Sequence, residues 1–287
     1  MFGGKKQPNI FERFVVEAER SRAARRAAER ALVRVVHHYG GCPEFVVIGG
    51  LVPELLCAGS DYHHAGTTDV DVQVNLEIAC GVVQTRRLEL ALRNAEFEPD
   101  GQRIWRWLAD GPEQGAMVKF ELLADLPDQA AGAEIVFDGC EALGAANLRG
   151  TGFAARDVEM RTITARVGGM QQVAEVRVTG LAGFLLAKCA AAHSRRKRKD
   201  WYDIAFVLLH NDQGGPEAAA RRVLELFSGD LPRTALGDLQ ANFAHPRDQG
   251  PEAYADQMLV DHEGLEEVGL RADAVVAVGA FCEVVLR

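Results

Sequence analysis

The chain has 287 residues, 48% hydrophobic and 25% charged, a balance ordinary for a soluble globular protein with a sizeable core. No apolar run approaches the roughly 18 residues of a membrane span, and the start, MFGGKKQPNIFERF, lacks a signal peptide's apolar core. A membrane partner is therefore not expected, and the location is expected to be cytoplasmic.

The net charge of −9 is concentrated after residue 210, where 14 acidic side chains face six arginines and no lysine. The N-terminal two thirds can thus still carry positive local fields. The six cysteines are scattered without a CxxC pair, so they read as reduced and the spacing of a structural zinc site is missing.

Residues 10–38 read as one helix, with Phe11, Phe14, Val15, Ala18, Leu32, Val35 and Val36 at helical spacing. Arginines crowd its middle, as a solvated face or a phosphate-contacting one. Gly40-Gly41 stops it. Phe45–Ile48 is a short apolar strand, Gly49-Gly50 a turn and Leu51–Cys57 a short helix with Pro53 in its first turn. A polar loop with His63 and His64 leads to Asp69–Val74, which alternates carboxylate or polar residues with valine as a half-buried strand does. Paired histidines in such a loop are expected to be exposed.

A helix follows over 78–94, then strands at Arg103–Leu108 and Met117–Leu123 separated by the turn-rich 109–115, a hairpin pattern. Further strand-like pieces lie at 134–137, 160–167 and 172–178. From 179 onward the pattern is helical. The layout is α+β: a mixed β-sheet core with flanking helices over 1–178, then a C-terminal helical domain over 179–287.

The chemistry lies in the carboxylates. Asp69 and Asp71 sit at i and i+2 of a valine-rich strand and so share a face, although aspartate is depleted in strands. Glu121, amid Val118, Phe120 and Leu122, joins that face if its strand lies alongside. Three such oxygens suit a hard cation such as Mg²⁺. Gly49-Gly50, at the mouth of a short helix, allows a close backbone approach to phosphate, although a tight strand–helix turn needs the same residues. Lys188 interrupts an apolar helix, so its head either snorkels out or meets an anion. Asp200 is placed as the N-cap of a helix over 201–210, with Asp203 in its first turn. Arg195, Arg196, Lys197, Arg198 and Lys199 form a basic run for phosphate or RNA, or a solvated loop.

The pattern Val47-Ile-Gly-Gly50 … Thr67-Thr-Asp-Val-Asp-Val72 resembles the hG[G/S]…DhDh signature of the polymerase-β-like nucleotidyltransferases. Val118–Glu121 resembles their third-carboxylate strand. Leu185–Lys188 with Arg198–Ile204 resembles the downstream motifs of the AbiEii-type nucleotidyltransferases, which include toxins of type IV toxin–antitoxin systems. The Gly50-to-Asp69 gap is longer than usual, and Gly50 lacks the hydroxyl of the serine variant.

The resemblance implies a nucleotidyltransferase-like core holding two Mg²⁺ (or Mn²⁺) ions on Asp69, Asp71 and Glu121. It implies NTP contacts from Gly49, Gly50, Thr67 and Lys188, and catalytic or supporting roles for Lys188, Asp200 and Asp203. The reaction would be NMP transfer from an NTP to a hydroxyl of RNA, tRNA above all, or of protein, with an antitoxin as a possible protein partner. A non-catalytic nucleotide- or RNA-binding module and a metal-dependent nuclease are the alternatives.

Overall fold

The computed structural model describes residues 21–111 and 117–287. Helix α1 spans Arg22–Tyr39. Its Ser21 cap accepts a hydrogen bond from the Ala24 amide at 3.1 Å, and Gly40 closes it in the left-handed region. The expected earlier turns of this helix, residues 10–20, lie outside the described residues. Strand β1 (Val46–Ile48) runs into a 3₁₀ turn (Gly49–Leu51) and α2 (Val52–Leu56). Strand β2 is Asp69–Gln73.

The helix expected over 78–94 is two: α3 (Asn75–Ala79) and α4 (Val82–Asn94). Gly81, at φ 88°, breaks it, a backbone state that costs glycine little. Strands β3 (Glu98–Asp100), β4 (Arg103–Asp110), β5 (Met117–Ala124), β6 (Glu134–Val136) and β7 (Gly144–Asn147) follow. The β4 and β5 strands pair antiparallel, as the hairpin pattern requires. A short α5 (Gly152–Arg156) precedes the long hairpin β8 (Val158–Val167) and β9 (Met170–Thr179). After it the described residues are helical: α6 (Leu181–Arg195), α7 (Arg198–His210), α8 (Pro216–Phe227), α9 (Arg233–Asn242), α10 (Gln249–Asp261) and α11 (Glu267–Val285).

The sheet is mixed, in the order β3-β4-β5-β2-β1-β9-β8, with β7 on β5 and β6 on β7. Proline at 99 is tolerated because β3 is an edge strand. The architecture is therefore α+β, with a mixed sheet and flanking helices. Alternation divides the sheet's two faces. Val47, Val70, Val72, Val118, Phe120 and Leu122 point into the main core, which continues from Ala27 in α1 to Val285 in α11. Val46, Ile48 and Leu123 point the other way, into a smaller cluster with Ala146 and Ala154. Asp69, Asp71 and Glu121 belong to this second face by their spacing. No helix among the described residues is long and apolar enough to cross a membrane.

Candidate functional site

Strands β2 and β5 run parallel with Asp71 opposite Glu121 and Asp69 opposite Lys119. On the far side of β5, Arg106 of β4 stands opposite Glu121. Sheet register alone thus lines up Asp71, Glu121 and Arg106 across three strands, with Asp69 and Lys119 beside them.

The ion pairs are uneven. Lys119 Nζ lies 3.2 Å from Asp69 Oδ1, and Lys199 Nζ approaches Asp69 Oδ2 at 4.0 Å. Arg106 donates through Nε at 2.7 Å and Nη2 at 2.5 Å, both to Oε1 of Glu121. Both guanidinium donors therefore use one oxygen, and no donor among the described residues bonds Oε2. Asp71, between these pairs, has neither a hydrogen bond nor an ion pair to a described residue. Burial, with Glu121 and Asp69 adding repulsion, pushes its carboxyl up to about 7, against the opposing pull of Lys199 and Lys188.

The turn after β1 fits around this carboxylate. Gly49 has φ 72°, and a Cβ there would overlap the Asp71 carboxylate. A Cβ on Gly50 would come within 2.8 Å of Thr67 Cβ. Thr67 is buried, and its Oγ1 accepts from the Asp69 amide at 3.0 Å, fixing the entry into β2. Packing therefore accounts for both glycines and for Thr67 before any ligand is considered.

A cleft of about 590 Å³ opens over Asp69. It is lined by Thr67, Thr68 and Lys119 from the sheet region, by Lys197, Arg198, Lys199 and Tyr202 from the start of α7, and by residues of α10. Of the basic run, Arg196 and Lys197 alone separate α6 from α7. Arg195 is held by Asp200, Arg198 reaches Glu252 at 3.3 Å and Asp256 at 2.5 Å, and Lys197 and Lys199 face the cleft. The run is thus not a uniform phosphate-binding loop: Arg195, Arg196, Arg198 and Lys199 each lie within 4.0 Å of a carboxylate.

The expectations for Lys188, Asp200 and Asp203 need correction. Lys188 is not among the residues lining the cleft. Its Nζ is buried, 3.2 Å from Asp200 Oδ1 and 2.7 Å from Asp203 Oδ2. Burial alone would depress its pKa, but Asp203 and Asp200 reverse this and raise it. Asp200 is not an N-cap: α7 begins at Arg198 with Lys197 in the cap position. The Asp200 side chain turns inward, where Arg195 grips it through Nε at 2.7 Å and Nη2 at 2.8 Å. Burial would raise the Asp200 pKa, but Lys188 and Arg195 hold it below the usual carboxylate range.

His64 completes this network. It is buried, whereas His63 is exposed and bonds Glu54 at 2.9 Å. The Gly66 amide donates to His64 Nδ1 at 3.3 Å, which places the proton on Nε2, 2.9 Å from Asp203 Oδ1. The Tyr202 hydroxyl accepts from the Ala65 amide at 3.0 Å. The loop that delivers Asp69 is thereby anchored to α7.

The sequence reading missed Arg106, Lys119 and His64 as members of these clusters. The signal for the first two was their position two residues from other inward-facing residues on β4 and β5, usable only with the register known. Among the described residues no group of three or more His, Cys, Asp and Glu side chains is gathered closely enough to hold a metal ion. Arg106 on Glu121 and Lys119 on Asp69 are the pairings that engage two of the three carboxylates. No family model, curated protein or solved structure matches the chain.

Proposed function

We propose that this chain is a divalent-cation-dependent nucleotidyltransferase, with a nucleotidyltransferase-like sheet, that transfers NMP from an NTP to a hydroxyl. The observation that carries the reading is the alignment of Asp71 with Glu121 across β2 and β5, beside Asp69, which itself lines a cleft together with Lys119 and Lys199. The chemistry of the donors suits Mg²⁺ or Mn²⁺, with hard oxygens, one carboxylate without a hydrogen bond or ion pair to a described residue, and mutual repulsion that a cation relieves, but a cation would have to draw the three carboxylates closer together than they stand. Asp69, Asp71 and Oε2 of Glu121 would hold it. When bound, it supplies charge neutralisation at the phosphates and a more acidic acceptor hydroxyl.

The protein's own groups do the rest. Lys119, Lys197 and Lys199 bind the phosphates. Arg106 fixes Glu121 so that Oε2 stays turned to the cation's place, and the acceptor's proton passes to water. The acceptor oxygen bonds to the α-phosphorus, the α–β bridging P–O bond breaks, and pyrophosphate leaves. The buried network on Asp203 and Asp200 supports the site from behind rather than contacting the triphosphate. RNA, tRNA above all, or protein is the acceptor; a toxin role with an antitoxin partner rests on resemblance only.

Incubation with each radiolabelled NTP, Mg²⁺ and total tRNA or lysate tests the reading. Label transfer that Asp69→Ala and Asp71→Ala abolish is the expected result. No transfer under any condition, or transfer undiminished in those variants, sinks it. A second reading, a non-catalytic nucleotide- or RNA-binding module, is favoured by the Lys119–Asp69 and Arg106–Glu121 pairs, in which the chain's own cations engage the carboxylates. Calorimetry separates the two, because a module of that kind binds NTP without Mg²⁺ and without Asp71.

A further inference from the structure

The cleft has two chemically unlike sides. Toward the sheet and the start of α7 it presents Lys119, Lys197 and Lys199. The same cleft is lined by Ala253, Asp256, Gln257 and Val260 of α10, at the i, i+3, i+4, i+7 spacing of one helical stripe. Asp256 is turned to Arg198, so its charge is compensated. What remains on this wall is a carboxamide and an apolar side chain, Val260, which is 78% exposed. A triphosphate belongs with the lysines. The α10 stripe offers nothing to an anion and suits a flat, uncharged, hydrogen-bonding group.

Gln257 has the chemistry to read such a group. Its Nε2 donates to Asp261 Oδ2 at 3.0 Å. A carboxylate only accepts, so this bond fixes which way the amide faces. It leaves Oε1, which receives no hydrogen bond from a described residue, as an acceptor on a residue that lines the cleft. Val260, one turn further along, supplies apolar surface for a ring. The whole cleft, about 590 Å³, lies within the roughly 300–1,000 Å³ typical of small-molecule sites.

We propose that α10 is the base-reading wall of the site, with Gln257 hydrogen-bonding the nucleobase of the bound NTP and Val260 packing on its ring. The proposal rests on the nucleotidyl-transfer reading and assigns the helical region a part in substrate choice. The base, rather than the acceptor, is the occupant because Gln257 and Val260 line the same single cleft as the lysines that would hold the phosphates.

The test is calorimetric titration of the full chain, with Mg²⁺ and no acceptor, by ATP, GTP, CTP, UTP and the base-free probe inorganic tripolyphosphate. The wild-type protein is expected to favour one or two of the four nucleotides. Gln257→Ala should weaken the preferred one by about tenfold, the scale of one lost hydrogen bond, and narrow the spread among the four. Tripolyphosphate affinity and Tm should stay at wild-type values. Equal wild-type affinity for all four NTPs overturns the base-reading proposal alone, as does an unchanged ranking in Gln257→Ala or an equal loss of tripolyphosphate binding. Failure of both NTP and tripolyphosphate to bind the wild-type protein overturns the underlying nucleotide reading as well.

Discussion

Two groups of charged side chains meet near the same cleft, and they are treated in opposite ways. Apart from it, buried Lys188, Asp200, Asp203 and His64, with Arg195 reaching in from the surface, satisfy one another at 2.7–3.2 Å. On the sheet, Asp69, Asp71 and Glu121 stand with Lys119 and Arg106 at five positions on three adjoining strands, yet Asp71 is left without a hydrogen bond or ion pair to a described residue. The first arrangement holds helices and a loop in place. The second keeps repulsion where a ligand can relieve it. Charge alone therefore does not distinguish support from function; the pairing does.

The largest expected effect tests the supporting half. Lys188→Met removes the buried cation between Asp200 and Asp203, leaving Asp200 to Arg195 and Asp203 to His64, and should cost about 3–5 kcal/mol in urea unfolding. A neutral result would mean that the network contributes nothing to stability and that the contrast fails.

The next tests the strained half, and its sign is opposite. The Asp71 carboxyl is raised to about 7, above its unfolded value, so the folded state binds the extra proton as pH falls through that window. Ionised Asp71 thus costs stability above pH ~7, and the cost vanishes below pH ~4. Without added divalent cation, Asp71→Asn should be the more stable protein at pH 8, by a few kcal/mol, and indistinguishable from wild type near pH 4. Paired unfolding curves at the two pH values measure the gap. A smaller loss, about 1–3 kcal/mol, is expected for Gly49→Ala, which combines a left-handed backbone with overlap on Asp71. Its Tm should fall, and Asp71→Ala should restore part of it by removing the clash. Smallest of all, Arg198→Ala breaks exposed pairs with Glu252 and Asp256 and should change stability by no more than about 1 kcal/mol. A larger loss would show that the contact between α7 and α10 belongs with the supporting network.

The sequence made part of this legible. The DVDV alternation marked β2 and put Asp69 and Asp71 on one face, because period two is written into the residues. The α+β layout and the change to helix after Thr179 were equally visible. β3 and β7 were not: one carries Pro99, the other reads Gly-Ala-Ala-Asn, and neither shows apolar alternation. Partnership was hidden throughout. Lys188 looked like a cation awaiting an anion because Asp200 and Asp203 lie on the next helix. Asp200 looked like a cap because nothing in the sequence shows that α7 starts two residues earlier. His64 looked like an exposed loop residue because its partner, Asp203, is far along the chain.

The order of the sheet also sets a timetable. β2 is complete at Gln73, but its neighbour β5 arrives only at Met117–Ala124, after two helices and two other strands. Lys199 follows with α7, and Gln257 with α10. A chain emerging from the ribosome therefore gathers its three carboxylates and Lys119 first, Lys197 and Lys199 later and the α10 residues last, so the cleft is whole only once α10 has docked.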